Sequence, residues 1–179
     1  MDARDGFEVV FLETRDGGYE LVGATTAVED GQAWAVRYEI VVDDAWRTRG
    51  VYVSSRSASG DLEVRLEADG SGHWRIGGVA APALDGCFDV DLEASSCTNT
   101  LPVRRLGLAV GQGADAPAAY VRVMDVDVER LEQRYVRIED DGARWRFDYT
   151  APAFDYRGLL VYDRSGLVLD YPGIAIRVI

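Results

Sequence analysis

Lysine is missing from this chain of 179 residues, and all 19 of its basic residues are arginine. A bias toward GC-rich codons accounts for that preference without a functional cause. Histidine occurs once, as His73, which excludes His-rich metal sites and any mechanism that needs two imidazoles. Cysteine occurs twice, at Cys87 and Cys97, with neither CxxC spacing nor the density of a disulfide framework, so the two read as reduced, buried thiols. Long apolar runs are absent too. The strongest early one, 7–12, is interrupted by Glu8, and none approaches the ~18 residues a membrane span needs. With no signal-peptide pattern, the expectation is a cytoplasmic protein without integral membrane association. Positive charge is in deficit: 31 acidic residues give a formal net charge of −12. That works against sequence-independent binding to nucleic acid or to anionic lipid surfaces, where Lys and Arg must neutralise phosphates.

What is present is alternation. Period-two patterning marks strands at 7–14, 19–27, 33–42, 47–54, 62–68, 73–76, 87–93, 119–128, 132–138, 144–150, 157–162, 167–171 and 174–178. Asp16-Gly17-Gly18, Asp30-Gly31, Ser59-Gly60, Asp141-Gly142 and Ser165-Gly166 punctuate them with hairpin chemistry. The pattern predicts a mainly β (β-rich α+β) protein in a single domain over 1–179, with a many-stranded antiparallel sheet. One short helix is expected near 98–108. Thr98, Asn99 or a nearby Ser would cap it, Pro102 fits within its first turn, and Leu101, Arg104, Arg105 and Leu108 keep helical spacing. A second helical pattern over 128–138 competes with strand, and its valines favour strand. A faint repeat also runs through the chain: Tyr38, Asp43, Asp44, Arg47 and Val64 recur as Tyr135, Asp140, Asp141, Arg144 and Val161, each 97 residues later. It suggests two related β-meanders flanking the helical segment.

The densest chemistry lies in 85–106, DGCFDVDLEASSCTNTLPVRRL. On a strand, Cys87, Asp89, Asp91 and Glu93 share one face, while Phe88, Val90 and Leu92 pack the other on the core. The acidic face is then either a solvated exterior or a groove. Carboxylates about 7 Å apart repel one another and favour a cation, a sugar or an arginine as counterpart. Arg104 and Arg105 are the internal candidates, able to clamp Asp89 or Asp91 in a charge-assisted pair. Asp89-Val90-Asp91 also matches the DxD of metal-dependent glycosyltransferases, but a β-rich chain lacks their nucleotide-binding architecture. Gly111-Gln112-Gly113 with Ala116 imitates a dinucleotide loop, yet Pro117 and a following strand occupy the place of its helix. His73 sits in a hairpin with no nucleophile elbow to serve. No cofactor and no metal site is therefore expected. Trp34, Trp46, Trp74 and Trp145, with nine Tyr, suit both a sheet core and a face that stacks on sugar rings.

Asp85-Gly86-Cys87 through Leu92, with Thr98-Asn99-Thr100-Leu101-Pro102-Val103-Arg104-Arg105-Leu106, resembles the signature of the putative glycolipid-binding protein family. So do the C-terminal Gly166-Leu167-Val168-Leu169-Asp170-Tyr171-Pro172-Gly173 with Arg177, and the stretch from Tyr38 through Asp43-Asp44 to Trp46-Arg47-Thr48. The resemblance covers nearly the whole chain. It implies a sheet curled around a single helix, a homodimer, an acidic pocket, and distant likeness to carriers of lipoproteins between bacterial membranes. Cys97 departs from the family pattern of a small or apolar residue, which admits a bridge to Cys87 as an alternative to two free thiols.

The reading that results is non-catalytic binding of an amphiphilic, sugar-bearing ligand in an acidic cleft of a curled, barrel-like sheet. Asp89 and Asp91 are the candidate hydroxyl acceptors, Asn99 a mixed donor and acceptor, and Arg104 or Arg105 the positioner of the carboxylates. Trp46 or Tyr171 is the candidate stacking platform. Two alternatives stay open: a glycoside hydrolase using paired carboxylates of the same cluster, and a structural or partner-binding dimer without a ligand.

Overall fold

A computed structural model describes residues 5–178. The first half is a meander of seven antiparallel strands in sequential order: β1 (Asp5–Arg15), β2 (Gly18–Glu29), β3 (Gln32–Asp43), β4 (Thr48–Ser57), β5 (Gly60–Ala68), β6 (Trp74–Ile76) and β7 (Val79–Ala80). Its hairpins fall at the expected Gly positions. Asp30-Gly31, both at positive φ, joins β2 to β3 in the two-residue loop that matches strand twist. Alternation buries Trp34, Val36, Tyr38, Ile40 and Val42 along β3 and turns the residues between them outward.

The middle of the chain supplies β8 (Asp89–Leu92), a 3₁₀ turn at Cys97–Asn99, and α1 (Thr100–Leu106). Next come β9 (Gly113–Asp115), β10 (Ala118–Val121) and β11 (Val128–Leu131). The second meander is β12 (Arg134–Asp141), β13 (Arg144–Ala151), β14 (Tyr156–Tyr162), β15 (Val168–Tyr171) and β16 (Ala175–Ile176), with β9 on its outer edge beside β12. β8, β10 and β11 form a separate three-stranded sheet.

Several expectations are corrected in detail. The sheets number three and stay open, so the fold is not closed into a barrel. One pairing, β8 with β10, is parallel. The predicted strand 119–128 breaks after Val121, where the chain turns through Val126 at φ 52° and restarts as β11. The helix is a single α-helical stretch of seven residues ended by Gly107 in the left-handed region, and Asn99 makes no side-chain cap. The Asn99 amide serves a tyrosine instead. Cys87 and Cys97 are free thiols, and burial pushes them up to about 11 and about 12 respectively.

Two apolar cores result. One underlies the first meander, with Leu21, Ile40, Leu66 and Trp74; the other underlies the second, with Tyr135, Phe147, Leu160 and Tyr162. Leu101 of α1 packs in the first core and Val103 in the second, which places the short helix at their seam. Tyr38 and Val64 lie on β3 and β5, Tyr135 and Val161 on β12 and β14, each pair two strands apart, and both tyrosines send their hydroxyls into the central segment.

Candidate functional site

β8 determines the site. Its four residues are buried on both faces, because the acidic face lies inside the molecule rather than on its exterior. An unpaired buried carboxylate is expensive, and the strand treats its two aspartates differently. Asp89, 1% exposed, receives both Nε (2.9 Å) and Nη2 (2.6 Å) of Arg105, whose guanidinium also lies over Phe88 at 5.3 Å. This is the clamp that α1 was expected to supply. Burial raises the Asp89 carboxyl and the arginine draws it back down.

Asp91 has no such partner. Thr98 donates its hydroxyl to Oδ1 at 3.0 Å, and Gln133 donates its amide to Oδ2. Burial, reinforced by Asp89 and Glu93, pushes the Asp91 carboxyl up to about 6 against the pull of these two donors. Each oxygen retains acceptor capacity. The network runs on: Tyr135 donates its hydroxyl to Asn99 Oδ1 at 2.7 Å, and Tyr162 donates to the Asn99 carbonyl at 3.2 Å.

Asp91 faces a cavity of about 270 Å³ that opens between the two meanders. β1–β3 contribute Phe7, Glu8, Thr25 and Trp34, and the segment after Asp91 contributes Glu93, Ser95, Ser96 and Asn99. Tyr120 of β10 joins them, and from the second meander come Tyr149, Phe154, Tyr156, Tyr171 and Ile174. The rings form two groups: Tyr149 and Tyr156 both meet Tyr171, at centroid distances of 5.8 and 5.5 Å, and Tyr120 meets Phe154 at 5.4 Å. Charged lining residues are Glu8, Asp91, Glu93 and Asp155, with no arginine or histidine among the described residues that line it. Thr25 is 8% exposed, and its Oγ1 has no hydrogen-bond partner. At the mouth, Phe7 is 78% and Ile174 38% exposed.

Of the residues singled out in the sequence, Asp91, Asn99 and Tyr171 line this cavity, and Asp89, Arg104, Arg105 and Trp46 do not. Arg104 lies over Trp46 at 4.5 Å and donates to the Ser165 carbonyl. Trp46, held at φ 62°, stacks on Tyr19 at 4.4 Å, so its faces are occupied within the protein.

Glu8, Thr25 and Gln133 escaped the sequence reading. Glu8 crosses from the first strand to the segment after β8, accepting from Tyr38 at 2.6 Å, from the Ser95 hydroxyl, and from both the amide and hydroxyl of Ser96 at 3.1 Å. Its one sequence signal was the break it makes in an apolar run.

Comparison with known proteins bears on this geometry. The family model described as "Putative glycolipid-binding" matches residues 1–177. A crystal structure of a DUF1089 family protein from Pseudomonas aeruginosa superposes with a TM-score of 0.84 at 33% identity, covering 97% of this chain and 92% of that one. No curated protein matches the chain.

Proposed function

This chain belongs to the Putative glycolipid-binding family, and on that premise we propose that it is a non-catalytic carrier or sensor of an amphiphilic, sugar-bearing ligand, held in the acidic cavity between the two meanders. The observation that carries the reading is the lining itself: several aromatic rings beside carboxylates, hydroxyls and an amide, in a space near the lower end of ligand-pocket size. Rings stack on a sugar face while carboxylates accept from its hydroxyls. About 270 Å³ suits a headgroup better than a whole lipid, and exposed Phe7 and Ile174 give an emerging tail apolar surface to lie on.

Native mass spectrometry and thermal melts with decyl glucoside, free glucose and decanoate test this. Decyl glucoside is expected to bind and to stabilise the fold by about 2.7 kcal/mol at a hundred times its dissociation constant. Absence of binding by all three overturns the proposal.

One observation favours hydrolysis as a second reading: the raised Asp91 carboxyl has the character of a general acid. Against it, the Glu93 carboxylate that would have to act with Asp91 is engaged, accepting from the Val123 amide at 2.7 Å. Turnover of chromogenic glycosides, lost in Asp91→Asn, decides between the two.

A further inference from the structure

We propose that the headgroup taken by this cavity is a cation: an ammonium carried by the amphiphile, seated between the Asp91 carboxylate and the surrounding aromatic rings. The inference rests on the reading of the cavity as the binding site and narrows its ligand class. Its first support is charge. Among the described residues, every charged residue that lines the space is acidic, and Asp91, 8% exposed, is met only by neutral donors. Among the described residues Glu8 likewise is held by a phenol, two hydroxyls and an amide, with no guanidinium. Arg105, the one arginine bound to the strand, is consumed by Asp89. The protein thus supplies a counter-ion to one aspartate and withholds it from the other.

A neutral sugar leaves that buried charge uncompensated, and a phosphate or carboxylate headgroup is repelled by it. An ammonium supplies the missing charge.

The second support is the wall opposite. Aromatic faces attract ammonium ions through their ring quadrupoles, most strongly where water is excluded. Tyr149, Tyr156 and Tyr171 all line the cavity and meet at tilted or edge-on angles of 51–80° without parallel stacking. The third is the unsatisfied Thr25 Oγ1, a free acceptor on the first-meander wall of the same cavity. An N–H or a polarised C–H of an ammonium group gives it a partner. The ammonium can come from an amino sugar or from a quaternary headgroup of the choline type, and the same recognition serves both.

Three probes of equal tail length, each below its micelle concentration, separate the possibilities by calorimetry at pH 7.5: decyl glucoside, decyl glucosaminide and decyltrimethylammonium. At least one cationic probe is expected to bind about tenfold or more tightly than decyl glucoside, and whichever is tighter identifies the source. Decyl glucoside binding as well as both cations overturns this inference and leaves the proposed function standing. Failure of all three overturns both. Asp91→Asn is expected to abolish the preference, so that the cationic probes and decyl glucoside bind the variant with affinities within about twofold of one another, because the counter-ion is removed. A preference that survives the substitution refutes Asp91 as the seat. Tyr156→Leu, at a half-buried ring that retains apolar bulk, is expected to weaken the trimethylammonium probe severalfold more than the glucoside. Equal weakening of both removes the ring contribution.

Discussion

Asp91→Asn is expected to make the protein more stable at neutral pH, an unusual result for a substitution at a buried, hydrogen-bonded residue. In the fold the Asp91 carboxyl is raised from 3.8 to about 6. A raised carboxylate means that the native state holds the proton more tightly than the unfolded chain. Stability is therefore greatest below pH 3.8 and is lost as pH rises to about 6, beyond which the loss is constant. The shift corresponds to about 3 kcal/mol lost by pH 7, of which about half is already gone at pH 5. Asparagine carries no such charge. Its amide keeps the Thr98 contact but sets its own N–H donors against Gln133, which already donates its amide to this position; that mismatch costs about 1 kcal/mol at every pH. The net gain at pH 7.5 is about 2 kcal/mol, or a Tm higher by about 4–8 °C in a chain of this size. The other titratable groups around Asp91 are Asp89 on its own strand, Glu93 just past the strand's end, and neutral Tyr135, Tyr149, Tyr162 and Tyr171 opposite. They are common to both proteins and largely cancel in the difference. Urea and thermal unfolding of the pair at pH 5, 6.5 and 8 give the assay. A difference between the proteins that does not grow with pH would falsify the claim that Asp91 is a buried charge without a counter-ion.

The Asp89 side of the strand predicts the opposite sign. Arg105→Met strands the Asp89 carboxylate and is expected to cost about 3–5 kcal/mol in urea unfolding, with most of the loss recovered when Asp89→Asn is added. A double variant as unstable as the single one refutes the pairing. The thiols give a third expectation. With Cys87 and Cys97 pushed up to about 11 and about 12, native protein at pH 8 should resist iodoacetamide for hours and both should alkylate in urea. Rapid labelling of either without denaturant contradicts their burial.

How much of this was readable beforehand depends on the range of each contact. Local rules set the hairpins: Asp30-Gly31 closes a two-residue turn where expected, and Gly142-Ala143 closes another one residue past the expected place. The helix 100–106 likewise follows from Pro102 at its start and Gly107 at its end. Alternation correctly put Asp89 and Asp91 on one side of a strand, although the strand ends at Leu92, before Glu93. What alternation cannot say is what lies against that side. β8 pairs in parallel with β10, and such a pairing brings no hairpin signal of its own. The second meander then covers the face that a two-layer reading leaves to solvent. Glu8 meets Ser95 and Ser96 across most of the first half of the chain, and no spacing rule reaches that far. Trp46 misled for a related reason: an aromatic beside Asp43-Asp44 reads as surface chemistry, whereas its positive φ folds it inward onto Tyr19.

The buried polar residues of the described chain concentrate in one place. Asp89, Asp91, Ser95, Thr98, Asn99 and Thr100 all lie in β8 or in the segment leading into α1, and Gln133 reaches them from beside β12. That segment is the seam between two apolar cores, where Leu101 and Val103 point to opposite sides. A purely apolar seam would let two meanders slide, since hydrophobic contact has no direction. The Tyr38 hydroxyl, hydrogen-bonded with Ser95 Oγ, and the phenols of Tyr135 and Tyr162, both donating to Asn99, fix each meander to the central segment. Asp89 with Arg105 then ties the helix to the strand. Once those contacts hold the halves in register, Asp91 adds little to specificity that Thr98 and Gln133 do not already provide, while its charge subtracts from stability. A carboxylate that lowers stability at the lining of a cavity, two residues from one that is fully neutralised, is the pattern of strain kept at a functional position and offset by the structure around it.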